Sequence, residues 1–465
     1  MKDPTQQATS ADVNLRYVVL ICCIASLGGL LFGFDTAVIS GALSSLSLQF
    51  GLNEQPVLQG WTVSSVLLGS IVGAGMAGFL ADRWGRRFSM KLTAVLYLIS
   101  AIGSTLAPDL TTFILARLVG GFGVGIAAMV IPLYISEVSP PSIRGSMVSL
   151  YQLSVALGIL LAYFSNQWIG GLQVTNSGDV IDYMLSENWR GMLGMEVIPA
   201  TLFFLCLYLV PASPRFLMMR DQEEKAFSIL EKLSNRATAR IETDEIRLAL
   251  REENGSFREL FSSRLRVPVF IAVFLAIISQ FSGIDIILHY GPVILENAGF
   301  SFDDSLNGQI IFGVILVLFT LLALWKVDTL GRRRLLLYGN IGVVVSLLSI
   351  SYLFHTEGNQ TSLIMAISCF IACFSFSLGP LPWIIMSEIF PTKVRGRAMS
   401  LGTVILFGAN WLLAQLFPWL SDTLGEALTF LILALLMMPT FWFVARVLPE
   451  TKGRSLEKIE SSWQK

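Results

Sequence analysis

Twelve stretches of about 20 mostly apolar residues succeed one another along this 465-residue chain, and no other feature narrows the possible folds so far. They begin near Tyr17, Leu58, Ser89, Thr111, Met147, Trp189, Val267, Leu306, Leu335, Ser362, Met399 and Glu426. A helix of that length crosses the hydrocarbon core of a bilayer. In hydrocarbon only a helix satisfies its own backbone groups, except where a break lines a cavity. The expected fold is therefore all-α and integral to the membrane, and an even number of crossings puts both termini on one side.

Composition agrees: 54% hydrophobic and 14% charged residues leave too little polar surface for a water-soluble globule of this size. A net charge of -1 offers no basic footprint for nucleic acid. Cys22, Cys23, Cys206, Cys369 and Cys373 fall inside apolar runs without polar co-ligands, so they read as small buried apolar residues, and no metal or cofactor is expected. The apolar run from Tyr17 is too long for a signal-peptide core and is expected to remain as the first span.

Charge position gives orientation. Of the 32 basic residues, all but Arg117 and Arg190 fall in the tails, at the even-numbered turnarounds or in the long middle loop. The odd-numbered loops carry acids, among them Glu54, Asp109, Asp179, Asp182, Glu296 and Asp422. Basic loops stay cytoplasmic, which places both termini there.

An internal repeat divides the chain in two. Asp82-Arg83-Trp84-Gly85-Arg86-Arg87 after the second span returns as Asp328-Thr329-Leu330-Gly331-Arg332-Arg333 after the eighth. Glu137 with Arg144-Gly145 after the fourth returns as Glu388 with Arg395-Gly396 after the tenth, and Pro211-Ala212-Ser213-Pro214-Arg215 is loosely echoed by Pro449-Glu450-Thr451-Lys452-Gly453. Two similar six-helix bundles follow, over 17–210 and 267–448. Residues 1–16 and 449–465 form tails. Residues 211–266 form a polar insert with helical periodicity and a Ser256-to-Glu259 capping box, readable as a solvated linker or as a gating element.

Together with Gly379-Pro380-Leu381-Pro382-Trp383, these motifs resemble the sugar porter family of the major facilitator superfamily, from about Tyr17 to Arg454. Ala212 departs from the family's usual Glu. The resemblance implies a twelve-helix major facilitator fold in a cell membrane, the bacterial inner membrane in the first instance, with no chemistry performed on the substrate and a monomeric carrier. It also implies that Asp82, Gly85, Arg86, Glu137, Arg144, Asp328, Arg332, Glu388 and Arg395 form a cytoplasmic gate whose charges pair across the two halves. A purely topogenic role for the arginines stands beside that reading.

Asp35, Arg117 and Glu196 fall within the first, fourth and sixth spans. Charges at membrane depth are costly and face partners or water. A carboxylate beside a guanidinium favours its ionised form, whereas one desolvated after its partner withdraws favours the protonated form, so a proton can be exchanged for a change of conformation. Family members of the xylose/proton symporter type are similar here, which implies that Asp35 carries the proton, Arg117 is its switchable partner and Glu196 tunes the pair. A static ion pair fastening three helices is the competing reading.

Sugars present hydroxyl rings and apolar faces, for which amides and aromatic surfaces are suited. The resemblance implies Phe32, Gln152, Gln280, Trp383, Asn410 and Trp411 around a central cavity. The seventh span departs from the family: Ser279 replaces a Gln, Asp285 an Asn and His289 a Tyr. Asp285 and His289 share one helical face, where they bind an unusual substrate, titrate, or pack as a self-neutralising pair. The expected function is proton-coupled symport of a monosaccharide or related polyol by alternating access. A passive uniporter and a non-transporting sugar sensor are the alternatives.

Overall fold

The computed structural model describes residues 14–140, 143–172, 187–252, 257–262 and 265–450. Ser256, Asp179, Asp182, residues 1–13 and residues 451–465 lie outside them, as does the side chain of Asp328. Among the described residues, eleven helices are long and apolar enough to cross a membrane. The last, Thr392–Arg446, is broken at Gly425 (φ 76°, ψ 164°), so it supplies two spans and brings the crossings to the expected twelve.

The first half contains α1 (Leu15–Phe50), α2 (Pro56–Trp84), α3 (Arg86–Thr105), α4 (Leu110–Val138), α5 (Arg144–Gly170) and a sixth span divided into α6 (Asn188–Gly194) and α7 (Val197–Cys206). Among its described residues the insert holds three shorter α-helices, α8 (Pro214–Met218), α9 (Glu223–Leu233) and α10 (Arg236–Glu252), and a 3-10 helix (Phe257–Phe261). The second half begins with a seventh span divided into α11 (Arg266–Phe281) and α12 (Ile284–Asn297). It continues with α13 (Phe302–Leu330), α14 (Arg332–His355), a tenth span divided into α15 (Gln360–Phe376) and α16 (Leu381–Ile389), and α17 (Thr392–Arg446).

Small residues set the helix spacing, because lipid gives no hydrophobic drive for helices to associate and close backbone packing must supply it. A Cβ at Gly33 would lie 2.0 Å from the Val155 carbonyl oxygen, and one at Gly158 2.0 Å from that of Leu30, so α1 and α5 touch backbone to backbone. At Gly121 a Cβ would lie 1.8 Å from the Val66 oxygen, which locks α2 to α4. These contacts seat α1, the bearer of Asp35, against α5 and α4, the bearer of Arg117, against α2.

The sequence repeat is also a repeat of contacts. Gly85 (φ 92°, ψ 156°) and Gly331 (φ 86°, ψ 148°) turn the chain between consecutive spans with the same left-handed geometry, open to glycine at little cost. Arg86 pairs with Glu137 at 2.9 Å and Arg332 with Glu388 at 2.9 Å. Arg87 donates to the carbonyls of Leu207 and Tyr208, and Arg333 to those of Val444 and Ala445. Each arginine pair thus ties the end of its own half together. These ion pairs run within a half, whereas the sequence led us to expect pairing across the halves.

The cysteines depart from expectation in part. Cys22 is buried, 3.5 Å from the Ser139 hydroxyl, but Cys23 and Cys369 are exposed on the apolar surface. Their neighbours in sequence are apolar because they face lipid rather than core.

Candidate functional site

Asp35 lies two residues beyond the Gly33 contact on α1, with no exposed surface, and Arg117 on α4 is buried to the same degree. Arg117 Nη1 donates to Asp35 Oδ1 at 2.5 Å and Nη2 to the Asp35 main-chain oxygen at 3.3 Å. Glu196, at the junction of α6 and α7, is buried facing both. The three charges expected to meet are brought together, from three spans of one half. Tyr97 on α3 also faces this group, and its hydroxyl has no hydrogen-bond partner among the described residues. Sequence reasoning missed Tyr97, whose only signal is a hydroxyl on the inner face of a span.

The seventh span breaks at Gly283 (φ 87°), the conformation that glycine adopts most readily, and restarts as α12. Asp285 occupies the first turn of the new helix and His289 the next turn on the same face. Pro292 has no N–H to offer the Leu288 carbonyl one turn back. The Tyr163 hydroxyl of α5 donates there instead, at 3.3 Å, and Gln309 Nε2 of α13 donates to the neighbouring Ile287 carbonyl at 3.3 Å. These two side chains, also missed from sequence, steady the segment that carries His289. His289 is 1% exposed, faces Arg117 of the opposite half, and neither ring nitrogen has a partner among the described residues.

The remaining expected cavity residues come from both halves. Phe32 of α1 meets Phe407 of α17 edge to face, ring centroids 6.1 Å apart. Trp383 of α16 packs against two buried apolar clusters, each drawing residues from both halves. Gln280 and Asn410 are buried with their amide oxygens unpartnered among the described residues, and Trp411 has its indole N–H unpartnered. Ser279 lies beside Gln280 and receives its amide N–H at 3.3 Å. Gln152 is half-buried on α5. Buried polar groups are normally satisfied, so these unpartnered atoms of Gln280, His289, Asn410 and Trp411 are candidates for contacts with a polar ligand.

Of the expected gate, Glu137 is held by Arg86 and by the Ser213 hydroxyl at 2.5 Å, and Asp82 by Arg86 at 3.1 Å. Arg144 reaches the Ser139 carbonyl at 3.3 Å. The Nε and Nη2 of Arg395 have no hydrogen-bond partner among the described residues. The halves are fastened to each other on the opposite face of the membrane. There Ser44 of α1 donates to Glu296 of α12 at 3.1 Å, Ser64 of α2 to Gln415 of α17 at 2.8 Å, and Gln415 back to the Val57 carbonyl at 2.8 Å. Ser44 lies nine residues beyond Asp35, about 13 Å along the helix, so this seal stands well outside the charged centre.

Outside the membrane-spanning segments, Glu242 of α10 is half-buried, and burial raises its carboxyl above the usual range. Glu245 adds to this and Arg144, at the start of α5, opposes it. The insert therefore faces the gate region with a titratable group.

Comparison with known proteins gives a consistent result. The family model "Sugar (and other) transporter" matches residues 21–463. The chain is 40% identical to the arabinose-proton symporter of Bacillus subtilis over 99% of both chains, and 36% identical to the D-xylose-proton symporter of Escherichia coli over 98% of this chain and 97% of that one. Among solved structures, the partially occluded inward-open form of the xylose transporter XylE from E. coli superposes with a TM-score of 0.83 at 34% identity, covering 95% of this chain and all of that one. XylE bound to 6-bromo-6-deoxy-D-glucose superposes with a TM-score of 0.81 at 35% identity, covering 97% and 100%.

Proposed function

We propose, from the premise that this chain belongs to the sugar transporter family, that it is a secondary active carrier moving a monosaccharide or related polyol together with a proton by alternating access. The family carries solutes without altering them, and proton-sugar symporters are among the relatives most similar to this chain. The observation that carries the reading is the buried Arg117–Asp35 pair, with Glu196 facing it, beside unpartnered polar atoms contributed by the second half.

In this reading the bundles 17–210 and 267–448 rock about the cavity, with the insert 211–266 and both termini on the cytoplasmic side. A proton reaching Asp35 removes the charge that holds Arg117, and the freed guanidinium reorganises toward Glu196 and His289. The cost of leaving any of these charges unpaired at membrane depth forbids intermediate arrangements. The seal at Ser44–Glu296 and Ser64–Gln415 is the closed outer gate of an inward-facing carrier. The repeated Arg86–Glu137 and Arg332–Glu388 pairs stiffen the ends of the bundles that separate.

The test is uptake by purified protein in liposomes under an imposed pH gradient. Accumulation of a neutral sugar above equilibrium, abolished by an uncoupler, is expected; accumulation indifferent to the uncoupler would leave only facilitated diffusion.

A further inference from the structure

Four hydroxyl side chains line one face of α3. Thr93, Tyr97, Ser100 and Ser104 follow one another at intervals of four, three and four residues, all are buried, and none has a hydrogen-bond partner among the described residues. Three of them can be satisfied by a change of rotamer, since the hydroxyl of a serine or threonine in a helix can turn to the carbonyl four residues back. Tyr97 cannot, because its ring holds the hydroxyl away from its own backbone. Its partner must come from another span.

Close approaches between spans give its depth. A Cβ at Gly28 of α1 would lie 2.8 Å from the Phe203 ring of α7 and 2.3 Å from the Ile131 side chain of α4. Asp35 lies seven residues from Gly28, and Glu196 seven from Phe203, in spans that run in opposite directions. Both carboxyls therefore stand about 10 Å from that contact, on the same side. Eight residues back from Ile131 is Gly123, where a Cβ would lie 3.1 Å from Leu96, the residue before Tyr97. Three spans thus carry Asp35, Glu196 and Tyr97 to one depth.

The groups that face the Tyr97 side chain are Asp35 of α1, Arg117 of α4, Tyr151 of α5 and Glu196, and His289 of α12 stands beyond Arg117. Tyr151 packs its ring against Gly29, six residues short of Asp35. Arg117 engages Asp35 Oδ1 and the Asp35 main-chain oxygen through Nη1 and Nη2. Asp35 Oδ2 and Glu196 Oε1 are left as acceptors, and Arg117 Nε as a donor, without partners among the described residues. A carboxylate accepts at both oxygens, and the hydrogen bond from a phenol strengthens when its acceptor is ionised.

We propose that Tyr97 is a positioning residue of the coupling centre, whose hydroxyl donates to the free oxygen of Asp35 and holds the carboxylate ionised until a proton arrives. The bond is strongest while Asp35 is charged and weaker once it is neutral, so it sets the acidity at which the Arg117–Asp35 pair opens. This assignment rests on the proton-coupled reading for the role of Asp35, so it is tested by a titration that needs no transport.

Purified protein would be titrated over pH while the infrared carbonyl band of protonated carboxyl groups is followed, the Asp35 contribution being identified by its loss in Asp35→Asn. Tyr97→Phe, which deletes one oxygen and keeps the ring, is expected to move the midpoint of that contribution upward by about one pH unit, a tenfold gain in proton affinity. Uptake into liposomes should persist at acid pH and move its own midpoint the same way. Ser100→Ala, one turn along the same face, is the control for loss of a buried hydroxyl and should leave the midpoint in place. An unmoved or lowered midpoint in Tyr97→Phe, or an equal shift in Ser100→Ala, overturns the proposal. If the band shifts as expected while the native carrier accumulates no sugar on a pH gradient, coupling is overturned and the hydrogen bond stands.

Discussion

Arg117 grips Asp35 twice, at the carboxylate (2.5 Å) and at the main-chain oxygen (3.3 Å), so the charge state of one side chain is tied to the backbone of α1 at the centre of the molecule. In the proposed cycle a proton on Asp35 weakens the first contact and the second goes with it. A local event thereby reaches the helix that also carries Phe32, against Phe407, and Ser44, in the outer seal.

Asp35→Asn removes the titrating group but keeps its shape. Proton-driven accumulation in liposomes is expected to vanish while counterflow exchange of labelled sugar continues. Accumulation at the native level would remove Asp35 from the coupling step.

Arg117→Met should destabilise the protein by about 3–5 kcal/mol, because it strands a buried carboxylate. The double variant with Asp35→Asn should recover most of that loss, as both charges are then gone. Denaturant unfolding in detergent measures this, and an additive double variant would mean the two side chains are not energetically coupled.

Ser44→Ala with Gln415→Ala deletes the outer hydrogen bonds, each contributing about 1 kcal/mol. Such a loss shifts a two-state balance several-fold or more toward an outward-open form. A cysteine at buried Val63, with Cys23 and Cys369 replaced by serine, should label faster with an impermeant maleimide in the double variant. An unchanged rate would show that these bonds do not hold the outer face closed.

Glu242 supplies a pH signature in the insert. Burial and Glu245 raise its carboxyl in the folded state, so folding favours the protonated form. Its protonation therefore supports docking of the insert at acid pH, and that support is lost as pH rises from about 4 through the raised value. Glu242→Gln should then slow hydrogen exchange of α10 at neutral pH and leave it unchanged at acid pH. The opposite pH trend would mean that attraction to Arg144 outweighs burial.

How much of this was legible beforehand follows from range. Twelve apolar runs dictate twelve helices because hydrocarbon leaves the backbone no alternative, and the repeated Gly85 and Gly331 turns announce two halves because the same local sequence meets the same local sterics. Asp35, Arg117 and Glu196 stood out for the same reason: a charge inside an apolar run is conspicuous by itself. Tyr97, Tyr163, Gln309 and Gln415 did not, since one hydroxyl or amide in a span is unremarkable until its partner is known. Only the folded arrangement showed that Tyr163 and Gln309 bond the carbonyls around the Pro292 irregularity, that Arg86 and Arg332 pair within their own halves, and that Ser44 and Ser64 bond across the halves far from the Gly85 and Gly331 turns. Those facts depend on which helix lies beside which and on which face of the carrier is open, and hydropathy along a chain encodes depth in the membrane but not neighbours around the axis.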